Sequence, residues 1–271
     1  MEWSKLKNII LLILAAANLF LLVIVVRQEV QGTDLQHQAR LNAISFLEEK
    51  GIQVPEDLVP QTMTLRPQTV ERDLEAECAQ AASLLKGSVR VEALGSEVYR
   101  YQNDNGFLQF HSDGSFSAEF APGVFPLGSD RTQSCLEVLD RMEFQGKLLR
   151  EEGDQLTFRQ MWEGVSLFNQ QVTLVCRENG VAAMTGGKRL VGRPVENSGQ
   201  TPITVATALI RFCNGLSALG DVCSRIDAIE RGYVSTASLS GTMTLTPVWQ
   251  ITTNTGAYQM DTMNGELIRL S

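Results

Sequence analysis

The apolar run Ile9–Val26 constrains this chain more than any other stretch of its sequence. It contains no charged side chain, and Asn18 is its one polar residue. At about 1.5 Å per residue, a helix of this length covers roughly 27 Å, close to the ~30 Å thickness of a bilayer core. A cleaved secretory signal has a shorter apolar region ending in a small-residue site, whereas the run's only Ala-x-Ala triplet, Ala15–Ala17, lies in its middle. The sequence therefore predicts an uncleaved transmembrane helix at 9–26, with a cleaved signal peptide as the alternative.

The charges beside this run predict its orientation. Lys5 and Lys7 precede it, while Arg27 is balanced by Glu29 on the other side. The more cationic flank of a membrane helix stays in the cytoplasm. The prediction is a single-pass protein of the cell membrane, with a cytoplasmic tail at residues 1–8 and an extracytoplasmic C-terminal part.

Composition limits the kinds of partner and of binding site that the chain is expected to have. The chain is acidic, with a formal net charge of −8, which argues against a nucleic acid as partner. It has two histidines and no Cys-x-x-Cys pair, so we expect neither a metal site nor another cofactor site. Buried free thiols are expected for the five cysteines, and a Cys213–Cys223 bridge, the pair nearest in sequence, is the alternative. The five are Cys78, Cys135, Cys176, Cys213 and Cys223.

Hydrophobic periodicity predicts an α+β fold after the membrane helix. Helical spacing alternates with runs of period two that are separated by glycine turns. The break at Ala121–Pro126 divides this part into two helix-on-antiparallel-sheet modules, at 27–122 and 123–271. The predicted helices are Asp34–Gly51, Thr69–Gly87, a third that begins at Ser129 or Asp130 and ends near Gly146, and Pro202–Leu216. The predicted strands are Val89–Leu94, Val98–Gln102, Phe107–His111, Ser115–Phe120, Lys147–Glu151, Gln155–Trp162, Ser166–Arg177, Val181–Thr185, Val222–Gly232, Pro247–Thr253, Ala257–Asp261 and Glu266–Leu270.

Two stretches of this pattern repeat each other. Val98–Gly106, VYRYQNDNG, aligns with Val248–Gly256, VWQITTNTG, with an aromatic residue second and a glycine ninth in both. The alignment continues through the next two strands if one extra residue is allowed in the second turn. The repeat predicts related strand meanders in the two modules.

No stretch of the sequence indicates an active site. Gly186–Lys188 lacks the spacing of a phosphate-binding loop and reads as a surface turn. The acidic residues Asp221, Asp227 and Glu230 alternate with apolar ones, which is typical of a solvated strand face. His37 and His111 stand beside no serine or cysteine motif and are read as structural. We therefore expect a protein that is not an enzyme.

Asn18 is the chemically distinctive residue of the membrane segment. Leu11, Ala15, Asn18 and Leu22 lie on one face of a helix, and the small Ala15 permits close approach of a second helix. An amide in hydrocarbon is stabilised by hydrogen bonding across such a contact. The alternative is a hydrogen bond from Asn18 to its own backbone. We interpret the four residues as a partner-helix contact.

Three stretches resemble a known family. Met1–Lys5, Lys7 and Asn18–Leu22 resemble the N-terminus of the YycI family of two-component regulatory proteins, in which an acidic-Trp-Ser-Lys stretch leads directly into one membrane helix. Pro247–Leu270 is similar to a PepSY-type strand meander. Met161–Gly186 is similar to a hairpin of YycH/YycI proteins and of thermolysin-type propeptides.

The resemblance implies a non-enzymatic membrane protein with an extracytoplasmic α+β domain pair. Its expected partners are a sensor histidine kinase of the YycG/WalK type and a YycH-like protein, and its expected role is in cell-wall homeostasis. The propeptide-like hairpin leaves a second hypothesis open, an inhibitor or chaperone of an extracellular peptidase. A module that binds a wall or lipid fragment in a groove between helix and sheet is the third hypothesis.

Replacing Asn18 with leucine tests the membrane contact. If its amide bonds to a partner helix, Asn18→Leu should weaken helix association by about 1 kcal/mol and reduce kinase control in cells. Kinase-dependent transcription at matched protein levels measures the effect. A fully active variant would make the segment a simple tether.

Overall fold

The computed structural model describes residue 18 and residues 34–178, 180–238 and 241–270. Within these residues the protein is α+β, with one network of 14 hydrogen-bonded strands and four helices. The helices are residues 34–49 (α1), Leu74–Leu84 (α2), Arg131–Asp140 (α3) and Val205–Leu219 (α4), and Glu56–Leu58 forms a short 3₁₀ turn. The strands are Gln68–Val70 (β1), Arg90–Gly95 (β2), Val98–Asn103 (β3), Gly106–Phe110 (β4), Ser115–Phe120 (β5), Gly146–Glu152 (β6), Gln155–Trp162 (β7), Val165–Arg177 (β8), Gly180–Lys188 (β9), Pro194–Glu196 (β10), Ile226–Ala237 (β11), Met243–Thr253 (β12), Gly256–Asp261 (β13) and Leu267–Leu270 (β14).

The predicted membrane segment lies largely outside the described residues. Among the described residues, no helix is both long enough and apolar enough to cross a bilayer. The predicted helix Ile9–Val26 and the tail at 1–8 lie outside the described residues, apart from Asn18, which is helical and exposed. The transmembrane helix and its orientation stay predictions.

One arrangement, a helix followed by four consecutive antiparallel strands, occurs three times in the described chain. The first unit is α2 with β2–β5, the second is α3 with β6–β9, and the third is α4 with β11–β14. The α+β prediction is therefore confirmed. The predicted module 123–271 contains the second and third units, and the module bounds themselves stay a prediction.

Strand pairing joins the three units. β5 pairs antiparallel with β9, which continues the sheet from the first unit into the second. β8 of the second unit pairs with β11 of the third by a short parallel contact at Gly232 and Ser166. A side chain at position 232 would come within 2.5 Å of the Ser166 carbonyl oxygen, so only glycine allows this approach.

Two main hydrophobic cores lie between the helices and the sheet. The first unites α2 and α3 with strands of the first and second units, around Leu84, Leu139 and Phe158, all fully buried. The second packs α1 and α4 on the third unit, around Leu47, Phe212 and Ile251. A single apolar face on each helix is what makes this one-sided packing favourable.

Capping residues explain where three of the helices begin. Asp73 Oδ1 accepts a hydrogen bond from the Ala76 amide at 2.9 Å at the start of α2. Asp130 and Thr204 cap α3 and α4 in the same way. These side chains satisfy amides that have no partner inside the first turn. Of the two predicted caps for the third helix, Ser129 and Asp130, the structure has Asp130. The predicted end near Gly146 is wrong, because α3 ends at Asp140 and Gly146 begins β6.

The predicted internal repeat is visible in the register. Asn103 pairs with Gly106 in the first unit, and Thr253 pairs with Gly256 in the third, so both hairpins close through two residues. The strands that follow bury alternate side chains at matching positions. These are Leu108 and Phe110 in the first unit and Tyr258 and Met260 in the third.

Local structure was predicted wrongly at Thr69 and at Gly186–Lys188, and the strand predicted at Val222–Gly232 begins only at Ile226. Thr69 was predicted to begin a helix, but it lies in β1, hydrogen-bonded between β10 and β12, and α2 begins at Leu74. Gly186–Lys188 was predicted to be a surface turn, but it is the end of β9, where it pairs with β5. A Cβ at Gly187 would lie 2.6 Å from the Phe116 ring, so tertiary contact explains this glycine.

The repeat generates a matched pair of mutations. Gly106 has φ +141°, and a Cβ there would meet the Glu119 carbonyl oxygen at 2.1 Å. Gly256 lies outside the left-handed range, and its nearest contact would be an ordinary 3.6 Å. Gly106→Ala should therefore lower the free energy of unfolding by about 2–4 kcal/mol, and Gly256→Ala by less than about 1 kcal/mol. Chemical denaturation measures both, and equal losses would contradict the structure.

Candidate functional site

A cleft of about 690 Å³ lies where the first and second units meet. Its walls are α2, the end of α3 with the segment after it, β7, and the segment 189–194 that follows β9. The cleft combines amide, carboxylate and apolar side chains. The amides are Gln80, Gln145 and Gln160, and the apolar residues include Met142, Met161, Trp162 and Leu190.

A buried ion cluster lies at one wall of the cleft, which two of its members, Glu77 and Arg189, line. Glu77 is 1% exposed, and Arg72 grips its two carboxylate oxygens through Nε and Nη2, each at 3.0 Å. Arg189 reaches the same carboxylate, with Nη2 3.2 Å from Oε1. Removing a buried charge from such a cluster leaves its partners unpaired, so the three side chains hold one another in place.

Aromatic rings support both arginines. The Arg189 guanidinium carbon lies 3.9 Å from the centroid of the Phe110 ring, and that of Arg72 lies 5.2 Å from the Tyr99 ring. Such contacts are favourable because the ring face is electronegative. Packing against aromatic rings therefore stabilises this wall of the cleft together with the ion pairs.

Burial shifts the pKa values of Arg189 and of the neighbouring Tyr101. Burial lowers the pKa of Arg189 to about 10, against the opposing attraction of Glu77. Burial, and next the Glu77 carboxylate, raises the pKa of the nearby Tyr101 to about 12. Arg189 is therefore cationic and Tyr101 a neutral phenol at pH 7.

Hydrogen bonds connect the buried cluster to other side chains of the cleft. Arg189 Nη1 donates to Gln80 Oε1 at 2.7 Å, and Gln80 Nε2 donates to Glu143 Oε2 at 3.1 Å. The Leu190 amide donates to Gln160 Oε1 at 3.0 Å, which fastens the segment 189–194 to β7. The side-chain amides of Gln80 and Gln160 are therefore oriented before any ligand binds.

The rim of the cleft is acidic. Four carboxylates are exposed there, against the single exposed guanidinium of Arg193. Two of the acidic residues, Glu143 and Glu163, have left-handed backbones, with φ of 57° and 48°. This conformation is uncommon outside glycine and is held by the surrounding turns. The four are Asp73, Asp140, Glu143 and Glu163.

Other acidic residues singled out in the sequence lie elsewhere and apart from one another. Asp221 precedes β11, accepts a hydrogen bond from the Tyr258 hydroxyl at 3.1 Å, and pairs with Arg269. Asp227 pairs with Arg225, and Glu230 accepts a hydrogen bond from Ser166 Oγ at 2.6 Å. In the described part of the chain, no three His, Cys, Asp or Glu residues are placed to hold a metal ion.

The predicted partner-helix contact and the cleft are different sites. Leu11, Ala15 and Leu22 lie outside the described residues, and Asn18 alone is described, so that contact stays a prediction. Sequence reasoning missed the cleft. Arg189 is 109 residues from its partner Gln80, and no local pattern connects positions so far apart.

No protein-family model and no curated protein matches the sequence. An uncharacterized protein from Eubacterium rectale ATCC 33656 aligns over 76% of this chain and 86% of its own, with 10% identity and a TM-score of 0.43. The Bacillus megaterium YpeB C-terminal domain aligns over 74% of this chain and 99% of its own, with 10% identity and a TM-score of 0.39. Both similarities are too low to carry an argument about family or function, and membership of the YycI family stays a prediction.

Glu77→Gln tests the buried cluster. The neutral amide cannot compensate the two buried guanidinium groups, so the free energy of unfolding should fall by about 3–5 kcal/mol. Chemical denaturation measures this loss. The matched control is Glu152→Gln, because Glu152 pairs with Arg150 at the surface, with side chains 65% and 64% exposed. The control should change stability by less than about 0.5 kcal/mol, and similar values for both variants would contradict the structural role of Glu77.

Proposed function

We propose that this chain is a membrane-anchored, non-enzymatic regulator of a sensor histidine kinase of the YycG/WalK type, acting with a YycH-like partner. The resemblance of Met1–Lys5 and the adjoining apolar run supports the kinase as partner. The observation that supports binding by the described part is the acidic cleft. In this proposal the membrane helix contacts a partner within the bilayer, and the cleft contacts a partner outside it.

The chemistry of the cleft favours a cationic polypeptide segment as its occupant. Exposed carboxylates at the rim attract lysine or arginine side chains, and this attraction raises the rate of encounter. The oriented amides of Gln80 and Gln160 line the same cleft, together with its apolar side chains. Because these side chains are already ordered, less conformational entropy is lost when a ligand binds.

Regulation of this kind needs no catalytic group. A partner that binds one conformation of a kinase more tightly than another shifts the population of the two. A difference of about 1.4 kcal/mol in contact free energy changes their ratio roughly tenfold. Contacts in the membrane helix and in the cleft can each supply a difference of this size.

Charge reversal at the rim tests the role of the cleft. In the full chain, Glu143→Lys with Glu163→Lys should reduce co-purification with the kinase or the YycH-like protein at least tenfold, because the rim then repels a cationic segment. The matched control is Glu48→Lys with Glu49→Lys, which makes the same change of charge on the exposed surface of α1. Binding unchanged in the rim variant, or lost equally in both, would contradict the cleft as the contact.

The proposed contact within the membrane is tested in cells. Exchange of residues 9–26 for an unrelated membrane helix should uncouple kinase-dependent transcription while the protein stays in the membrane. Unchanged output would count against control through the helix. Capture of an extracellular peptidase, with loss of its activity, would instead support the inhibitor hypothesis.

A further inference from the structure

Two of the five cysteines lie in direct contact inside the first core. Cys135 is on α3 and Cys176 is on β8, and their Sγ atoms are 3.6 Å apart. They are 0% and 1% exposed, and both are free thiols in the structure. Helix and sheet of the second unit therefore meet at a pair of thiols.

We propose that Cys135 and Cys176 form a disulfide that fastens α3 to β8 when the chain folds in the presence of a disulfide oxidant. The two Sγ atoms already face each other, and they must come about 1.5 Å closer to reach the length of a disulfide bond. This approach requires rotation of the two side chains and a small shift of α3 on the sheet. This inference goes beyond the proposed function and does not depend on the kinase.

The reaction is a thiol–disulfide exchange. One cysteine, as thiolate, attacks an external disulfide and releases one external thiol, which leaves a mixed disulfide. The second cysteine then attacks its neighbour's sulfur and releases the second external thiol. Two electrons and two protons pass from the cysteine pair to the oxidant, which is reduced to two thiols.

Burial determines whether the disulfide forms during folding or after the chain has folded. The apolar surroundings, and next the neighbouring Cys176, raise the pKa of Cys135 to about 12. The Cys135 thiol of the folded protein is therefore far less ionised at pH 8 than an exposed thiol. An external disulfide also has no access to side chains with this degree of burial. The bond forms while the chain folds, before the core closes around it.

The bond would stabilise the second unit in particular. The two cysteines are 41 residues apart, and the closed loop contains β6, β7 and most of β8. Closing a loop of this length restricts the unfolded chain. For a protein of this size we expect the melting temperature to rise by about 10 °C.

Oxidative refolding of the full chain in detergent tests the proposal. The reduced, unfolded protein is refolded with oxidised and reduced glutathione, alkylated, digested without reduction and mapped by mass spectrometry. A peptide that links Cys135 to Cys176 is expected. Folded protein in which both are alkylated, or in which either is linked to Cys78, Cys213 or Cys223, would overturn the proposal.

Melting temperatures provide a second readout with a matched control. Reduction should lower the melting temperature of the oxidised wild type and of Cys78→Ala by about 10 °C, and should leave Cys135→Ala unchanged. An equal response of Cys135→Ala and wild type would contradict the assignment. If Cys135→Ala does not fold, the mapping of the wild type still decides the question.

The timing is tested on the wild type alone. Folded, reduced protein incubated with oxidised glutathione should form the bond far more slowly than the refolding chain does. Equal rates would overturn the inference that folding and oxidation are coupled.

Discussion

The carboxylate of Glu77 is buried and therefore requires its two arginine partners, and this requirement fixes three segments against one another. Glu77 lies in α2, Arg72 just before that helix, and Arg189 just after β9. Loss of any one side chain leaves uncompensated charge in the interior, which is far less favourable than loss of a surface pair. The wall of the cleft and the junction of the first and second units depend on the same three residues.

Around this cluster the molecule is built from one repeated arrangement, used three times with different neighbours. A helix buries its apolar face on four antiparallel strands, and strand pairing continues the sheet between units. The copies are not equivalent in detail. Gly106 meets the backbone of β5 closely, whereas Gly256, at the matching turn, has space around it. Related sequence patterns thus carry different local constraints because their neighbours differ.

The sequence predicted the order and type of most elements in the described chain. Strand β7 was predicted with its observed ends, and the repeat at Val98 and Val248 corresponds to two matching hairpins. These features are local, since they depend on side-chain alternation and on glycine in tight turns. Prediction failed at Thr69, which has no strand pattern of its own and is extended because β10 and β12 pair with it.

The sequence by itself indicated the apolar run Ile9–Val26, the α+β class, the hairpin turns, and Asp130 as one of two candidate caps of α3. Each of these is encoded within a few neighbouring residues, where periodicity and backbone preference act directly. Only the tertiary structure decided the acidic cleft, the burial of Arg189 and the contact of Cys135 with Cys176. The physical reason is distance along the chain: packing brings together side chains that are 41 and 109 residues apart, and no local pattern encodes such a meeting.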